Sequence, residues 1–116
     1  MDAYQVITSQ EQLDKIIKDS KKSPVILMKH STRCPISAKA FKAFEDFSSS
    51  SECRETEACV VRVIENRDLS DYITKTLDVQ HQSPQLVILK DGKIAWVSSH
   101  RGITKESLSK ALSEIK

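Results

Sequence analysis

Residues 25–40 read VILMKHSTRCPISAKA, and the fold turns on them. Val25–Lys29 is an apolar, β-rich run of strand length, the kind a sheet buries on both faces. Cys34 and Pro35 come five residues later. A proline is favoured in the first turn of a helix, where an N–H has no partner to lose. The helix it opens extends to about Ser48, with Ile36, Ala40, Phe44 and Phe47 as its inner stripe. The stretch is therefore a buried strand that hands a cysteine to the first turn of a helix.

The same grammar continues outward. Upstream, Ser9-Gln10-Glu11-Gln12 has capping-box form, and Leu13, Ile16 and Ile17 follow at helical spacing to about Lys18. A short strand at Tyr4–Ile7 precedes it. Downstream, Ser48–Ser51 reads as a polar loop, and Val60–Ile64 as a second apolar β-rich run. Leu69, Tyr72, Ile73 and Leu77 mark another helix. Leu86–Leu89 is a buried-type strand. Asp91-Gly92 is a strong hairpin signal returning Ile94–Val97. Thr104 caps a last helix carrying Leu108, Leu112 and Ile115. Strands alternating with helices give a parallel portion, and the hairpin adds an antiparallel pair. The expected fold class is α/β: a mixed central sheet with helices on both faces, one domain over residues 1–116.

Composition narrows the function. The chain is 39% hydrophobic and 29% charged, with a net charge of +2. These are ordinary values for a globular protein. No basic block exceeds a pair such as Lys21-Lys22, so no nucleic-acid or membrane footprint is expected. The run Val25–Met28 is too short to span a bilayer. MDAYQVITSQEQ lacks the apolar core of a signal peptide, which points to the cytoplasm. Three cysteines, Cys34, Cys53 and Cys59, form no Cys-X-X-Cys pair. The scattered His30, His81 and His100 give no metal-ligand spacing, so no metal is expected.

Cys34 is the candidate nucleophile. Unpaired backbone N–H groups and the helix dipole meet at its position, and both favour thiolate over thiol. Pro35 and Arg33 border it and belong to the thiolate-stabilising set, although the Arg33 side chain could equally point to solvent. Ser37 stands where a dithiol enzyme keeps its resolving cysteine. Its hydroxyl cannot form a second disulfide but can donate a hydrogen bond to a thiolate; otherwise it is a plain first-turn residue. The helix is roughly 20 Å long at ~1.5 Å per residue. Cys53 and Cys59 therefore belong at its far end, beyond the ~7 Å Cα separation a disulfide tolerates. Cys59 reads as a buried apolar residue and Cys53 as an exposed thiol in a polar loop. His30 and His81 flank the motif segments; either could tune the thiolate, but a lone histidine is more often structural, and neither is taken as a proton donor.

Taken together, the strand, Cys34-Pro35-Ile36-Ser37 opening a helix, and Ser83-Pro84 ahead of a hairpin about 50 residues later resemble the thioredoxin fold. The stretches HSTRCPIS and VQHQSPQ more specifically resemble the monothiol bacilliredoxins, thioredoxin-like stress proteins of bacillithiol-using Firmicutes. The resemblance covers essentially the whole chain. It implies an oxidoreductase that removes bacillithiol from S-bacillithiolated proteins, with bacillithiol as co-substrate and no tightly bound cofactor. It implies that Ser83 and a cis Pro84 hold substrate beside the thiolate, against the alternative of an ordinary loop proline. Thr32, with Arg33, could contact a malate carboxylate of bacillithiol, or both are solvated loop residues. Gly102 could make room for the bound thiol, or be a turn glycine. A monomer is expected. The alternatives are a reductase for another small thiol, a binding or stress module with a redox-sensing cysteine, and an iron–sulfur carrier.

Overall fold

The structure is a computed structural model that describes residues 4–53 and 56–115. Its strands are β1 (Gln5–Val6), β2 (Val25–His30), β3 (Glu57–Arg62), β4 (Gln85–Lys90) and β5 (Lys93–Ser99). Its α-helices are α1 (Gln10–Asp19), α2 (Pro35–Ser48), α3 (Arg67–Thr76) and α4 (Lys105–Ile115), with 3-10 turns at Ser51–Cys53 and His100–Gly102. The strands form one sheet in the order β1-β3-β2-β4-β5. β1, β3 and β2 run parallel, while β4 is antiparallel to both β2 and β5.

Local chemistry explains the element ends. Ser9 Oγ accepts the Gln12 N–H at 3.2 Å and so caps α1. The Gln12 carboxamide reaches back one residue further than expected, accepting from Thr8 N at 2.8 Å. Thr104 and Ser107 cap α4 reciprocally, each backbone N–H donating to the other's hydroxyl at 3.0 Å. Asp91 and Gly92 take φ of 56° and 79°, the left-handed pair that a tight hairpin between twisted strands requires. The observed β3 begins and ends earlier than the apolar run suggested, because Val63 and Ile64 leave the sheet.

Period-two alternation divides the core into two layers. Ile26, Met28, Val60, Leu86 and Ile88 pack under α2 and α4 with Phe44, Phe47, Leu108 and Leu112. Val25, Leu27, Cys59, Val61, Val87 and Leu89 pack under α1 and α3 with Leu13, Ile16, Leu69 and Ile73. Two expectations fail here. Ile36 is 39% exposed, because the buried stripe of α2 begins with Ser37 and Ala40 and leaves Ile36 on the wall of a surface cavity. Cys53 is buried, not exposed: the 3-10 turn folds it into the α2 layer, and its Sγ donates to Thr56 O at 3.6 Å.

β2 is buried at all six positions, and one of them is Lys29. Only 2% exposed, Lys29 continues the Val25–Leu27 row toward α3. Its ammonium donates to Thr74 Oγ1 at 3.3 Å and lies 3.0 Å from His81 Nδ1. Burial pushes its pKa down to about 8, partly opposed by Asp71. Below that value the folded protein carries a desolvated charge; the unfolded chain gives up its proton only near the ordinary 10.5. Between the two the unfolded state binds more protons, so stability rises with pH. Lys29→Met is therefore expected to be more stable than wild type at neutral pH, by up to a few kcal/mol. It is also expected to lack the rise in stability that wild type shows above about pH 8. Denaturant titrations of both proteins across this range check it; parallel pH profiles would contradict it.

Candidate active site

Cys34 occupies the N-cap of α2 with extended dihedrals, φ −106° and ψ 123°. It is half-buried. Its carbonyl accepts the first helical N–H, from Ala38, at 3.0 Å, and its own N–H donates to Ser31 O at 3.3 Å. The thiol makes no capping hydrogen bond, and no acidic side chain stands in the first turn of α2. The partial positive charge of the helix start therefore acts on Sγ unopposed by a carboxylate of its own turn. Pro35 begins the helix without wasting a donor.

Ser37, one turn up, is fully buried. Its Oγ accepts the Ser31 N–H at 2.9 Å and lies 2.7 Å from His30 Nδ1. The expected hydroxyl–thiolate contact is thus replaced by an attachment to the end of β2. The imidazole is itself held, stacking on Phe41 with centroids 4.4 Å apart and planes within 10°. Burial, reinforced by the Arg62 charge, lowers the His30 pKa and favours the neutral ring. When Nδ1 of that ring is bare, the Ser37 proton goes to it. When Nδ1 carries the proton, Ser37 accepts twice and its own proton is left for a neighbour. The sequence leaves His30 open between a structural ring and one that tunes the thiolate. The signal for its role was strand parity: it shares the face of Met28, toward α2.

Three loops meet this edge of the sheet. Val63 N donates to His30 O at 2.9 Å, and Thr32 Oγ1 donates to Glu65 Oε1 at 3.3 Å, so the β3–α3 loop lies beside the segment leading to the thiol. Register pairs Lys29 with Gln85, which sets the neighbouring Ser83–Pro84 opposite the end of β2. That peptide bond is cis. Pro84 is buried, and Ser83 Oγ is a buried group with no hydrogen-bond partner. Pro84 O accepts His100 N at 3.0 Å, linking the proline loop to the 3-10 turn that ends in Gly102. His100 and Arg101 of that turn share a cavity of about 120 Å³ with Ile36 and Lys39 of α2. The site residues read from the sequence thus gather at one end of the molecule. Thr32, Arg33 and Gly102 are exposed there. The space beside Gly102 is filled by the protein itself: a Cβ would come within 2.4 Å of Ser98 Oγ.

The other two thiols lie elsewhere. Cys59 is fully buried in β3, paired with Leu27, and burial with the nearby Glu57 pushes its pKa up to about 12. Cys53 sits beyond the opposite end of α2. None of the three cysteines is in a disulfide. Among the described residues no cluster of three His, Cys, Asp or Glu could hold a metal ion, and no helix is long and apolar enough to cross a membrane.

Residues 5–108 match the family described as Monothiol bacilliredoxin BrxC. A solved thioredoxin-fold protein proposed to be an oxidoreductase is 35% identical, over 94% of this chain and 93% of its own, with a TM-score of 0.83. Thioredoxins of Malassezia sympodialis and Trypanosoma brucei brucei are 18% and 16% identical. Each covers 98% of this chain and 91% of its own at a TM-score of 0.78, and they show the fold.

The lowered pKa of His30 has a consequence for stability. As pH falls through the ordinary histidine value of 6.5, the unfolded chain takes up a proton that the folded protein refuses. Folding then loses stability until the folded pKa is reached. His30→Phe, which retains a ring to stack on Phe41, is expected to lose less stability than wild type on acidification through this range. Melting temperatures measured against pH check it; an unchanged acid slope would contradict it.

Proposed function

Since the chain belongs to the monothiol bacilliredoxin family, we propose that this thiol–disulfide oxidoreductase removes bacillithiol from S-bacillithiolated proteins, with Cys34 as the nucleophile. The observation that carries this reading is the pairing of a half-buried thiol at the α2 N-cap with a buried serine one turn later. The helix start sets partial positive charge beside this sulfur, and a thiolate is the attacking species in disulfide exchange.

In the first step the Cys34 thiolate attacks the bacillithiol sulfur of the capped protein. A Cys34–bacillithiol disulfide forms, the old disulfide breaks, and the protein cysteine leaves as thiolate. In the second step a bacillithiol thiolate attacks that mixed disulfide. Bacillithiol disulfide leaves and Cys34 is restored. The two electrons that reduce the capped protein come from two bacillithiols, one released from the cap and one free.

Among the described residues no second thiol stands near enough to Cys34 to interrupt that sequence. Ser37 has no sulfur to offer, and Cys59 and Cys53 are buried away from the site. One thiol therefore keeps what it takes until a second small thiol clears it. Arg33, exposed beside Cys34, is available to an acidic arm of the small thiol, and Thr32 could join it by giving up its hydrogen bond to Glu65. Ser83, just before Pro84, supplies a backbone N–H and C=O along which a protein substrate can lie in strand fashion. The linked turn at Gly102 borders the same approach. Such chemistry suits a reducing compartment, the cytoplasm, and a monomer suffices for it.

Wild type is expected to remove bacillithiol from a capped protein and to gain one bacillithiol by intact mass, while Cys34→Ala does neither. Equal uncapping by both proteins would sink the reading. Ser37→Cys is expected to shift the product: after mild oxidation it should lose two hydrogens through an internal disulfide instead of retaining bacillithiol. Persistence of the bacillithiol adduct in that variant would show that the fourth position does not set the monothiol outcome.

A further inference from the structure

Next to the proline loop, on the α3 side of the sheet, lies a cavity of about 300 Å³ lined by Val63, Ile64, Arg67, Ser70, Asp71 and His81. One buried polar group of its wall has no match within the protein. Ser70 is 2% exposed, yet its Oγ has no hydrogen-bond partner. Behind His81, Lys29 Nζ lies 3.0 Å from Nδ1, and its other contact is the Thr74 hydroxyl. Among the described residues no carboxylate comes within 4.0 Å of that ammonium; the ion pairs are Lys15–Asp19 and Lys42–Asp46. A buried cation with only neutral contacts is costly unless something else balances it. Arg67 adds a second positive charge to the cavity wall, and Asp71 is the only carboxylate there. With the Lys29 ammonium behind His81, two positive charges stand against one carboxylate here, and Ser70 offers an unused hydroxyl.

We propose that this cavity is a subsite for a carboxylate group of a small organic acid, held by Ser70 and Arg67 of its wall, with His81 at its mouth and the Lys29 ammonium behind that ring adding positive charge. Its size suits a molecule of a few carbons rather than a bare ion. Its position fits the reaction. Val63, which lines it, is hydrogen-bonded to His30, and His81 lies two residues before Ser83. The carboxylate belongs either to a free acid or to the acidic arm of the small thiol; the second source rests on the function proposed above.

The probe is L-malate, followed by amide chemical shifts in the ¹⁵N-labelled protein. Saturable shifts are expected at Val63, Ile64, Ser70, Asp71 and His81. Lys29→Met, which the fold should tolerate well, is expected to weaken binding about tenfold or more, and Ser70→Ala by a few-fold. The dimethyl ester of malate should cause no such shifts. No saturable shifts in wild type, or equal binding by Lys29→Met, would overturn the proposal. Cys34→Ala should bind malate like wild type, so failure of the redox reading leaves this titration intact. The source is separated by kinetics on a peptide capped with bacillithiol or with cysteine. A KM raised by Lys29→Met for the first cap alone assigns the carboxylate to the small thiol; unchanged KM values alongside malate binding assign it to a free acid.

Discussion

The Ser37 hydroxyl joins the two elements on which the site depends. It fastens the first turn of α2 to the last residues of β2, through Ser31 N–H and His30 Nδ1. A strand and a helix that only followed one another in sequence could meet at many angles. This buried attachment, with the Ser31–Cys34 turn, holds the cysteine where the helix field is strongest. In a dithiol relative the same place would hold a second sulfur. Here oxygen provides the attachment and removes the option of an internal disulfide. Structure and chemistry therefore constrain the same atom.

Around that junction the sheet delivers its loops to one edge. Because β2 is central, its end is bordered by the β3–α3 loop on one side and the proline loop on the other. Hydrogen bonds tie both to neighbouring segments: Val63 to His30, and His100 to Pro84. The two faces at this edge have different characters. Toward α2 the end of β2 presents His30, stacked on Phe41 and held neutral by burial. Toward α3 it presents Lys29, a charge the apolar layer does not need. Its neighbours in that row, Val25 and Leu27, pack in the apolar layer, so Lys29 is the charged exception there.

Much of the fold was legible because its signals are local. Apolar runs, the capping sequences at Ser9 and Thr104, Pro35 and Asp91-Gly92 each act through a few neighbouring residues, and every helix lies where its pattern put it. The candidate nucleophile stands out for the same reason: a cysteine just before a proline-led helix needs no distant partner to be noticed. The errors were also local in origin. Ile36 was placed inside by helical spacing, which carries no information on where along the helix the buried stripe begins. Cys53 was placed outside by polar neighbours, although a single 3-10 turn was enough to bury it.

What only the tertiary structure decided are contacts between residues far apart in the chain. Lys29 meets His81 across 52 residues of sequence and Thr74 across 45. Ser37 is separated from His30 by just one loop, yet which groups its hydroxyl meets depended on how the helix leaves the strand. The sequence by itself determined a strand–cysteine–helix unit in an α/β sheet, because propensity and periodicity are properties of short windows. The partners of a buried hydroxyl or ammonium were settled by strand order and register, because a polar group withdrawn from water bonds to whatever the packing brings within reach.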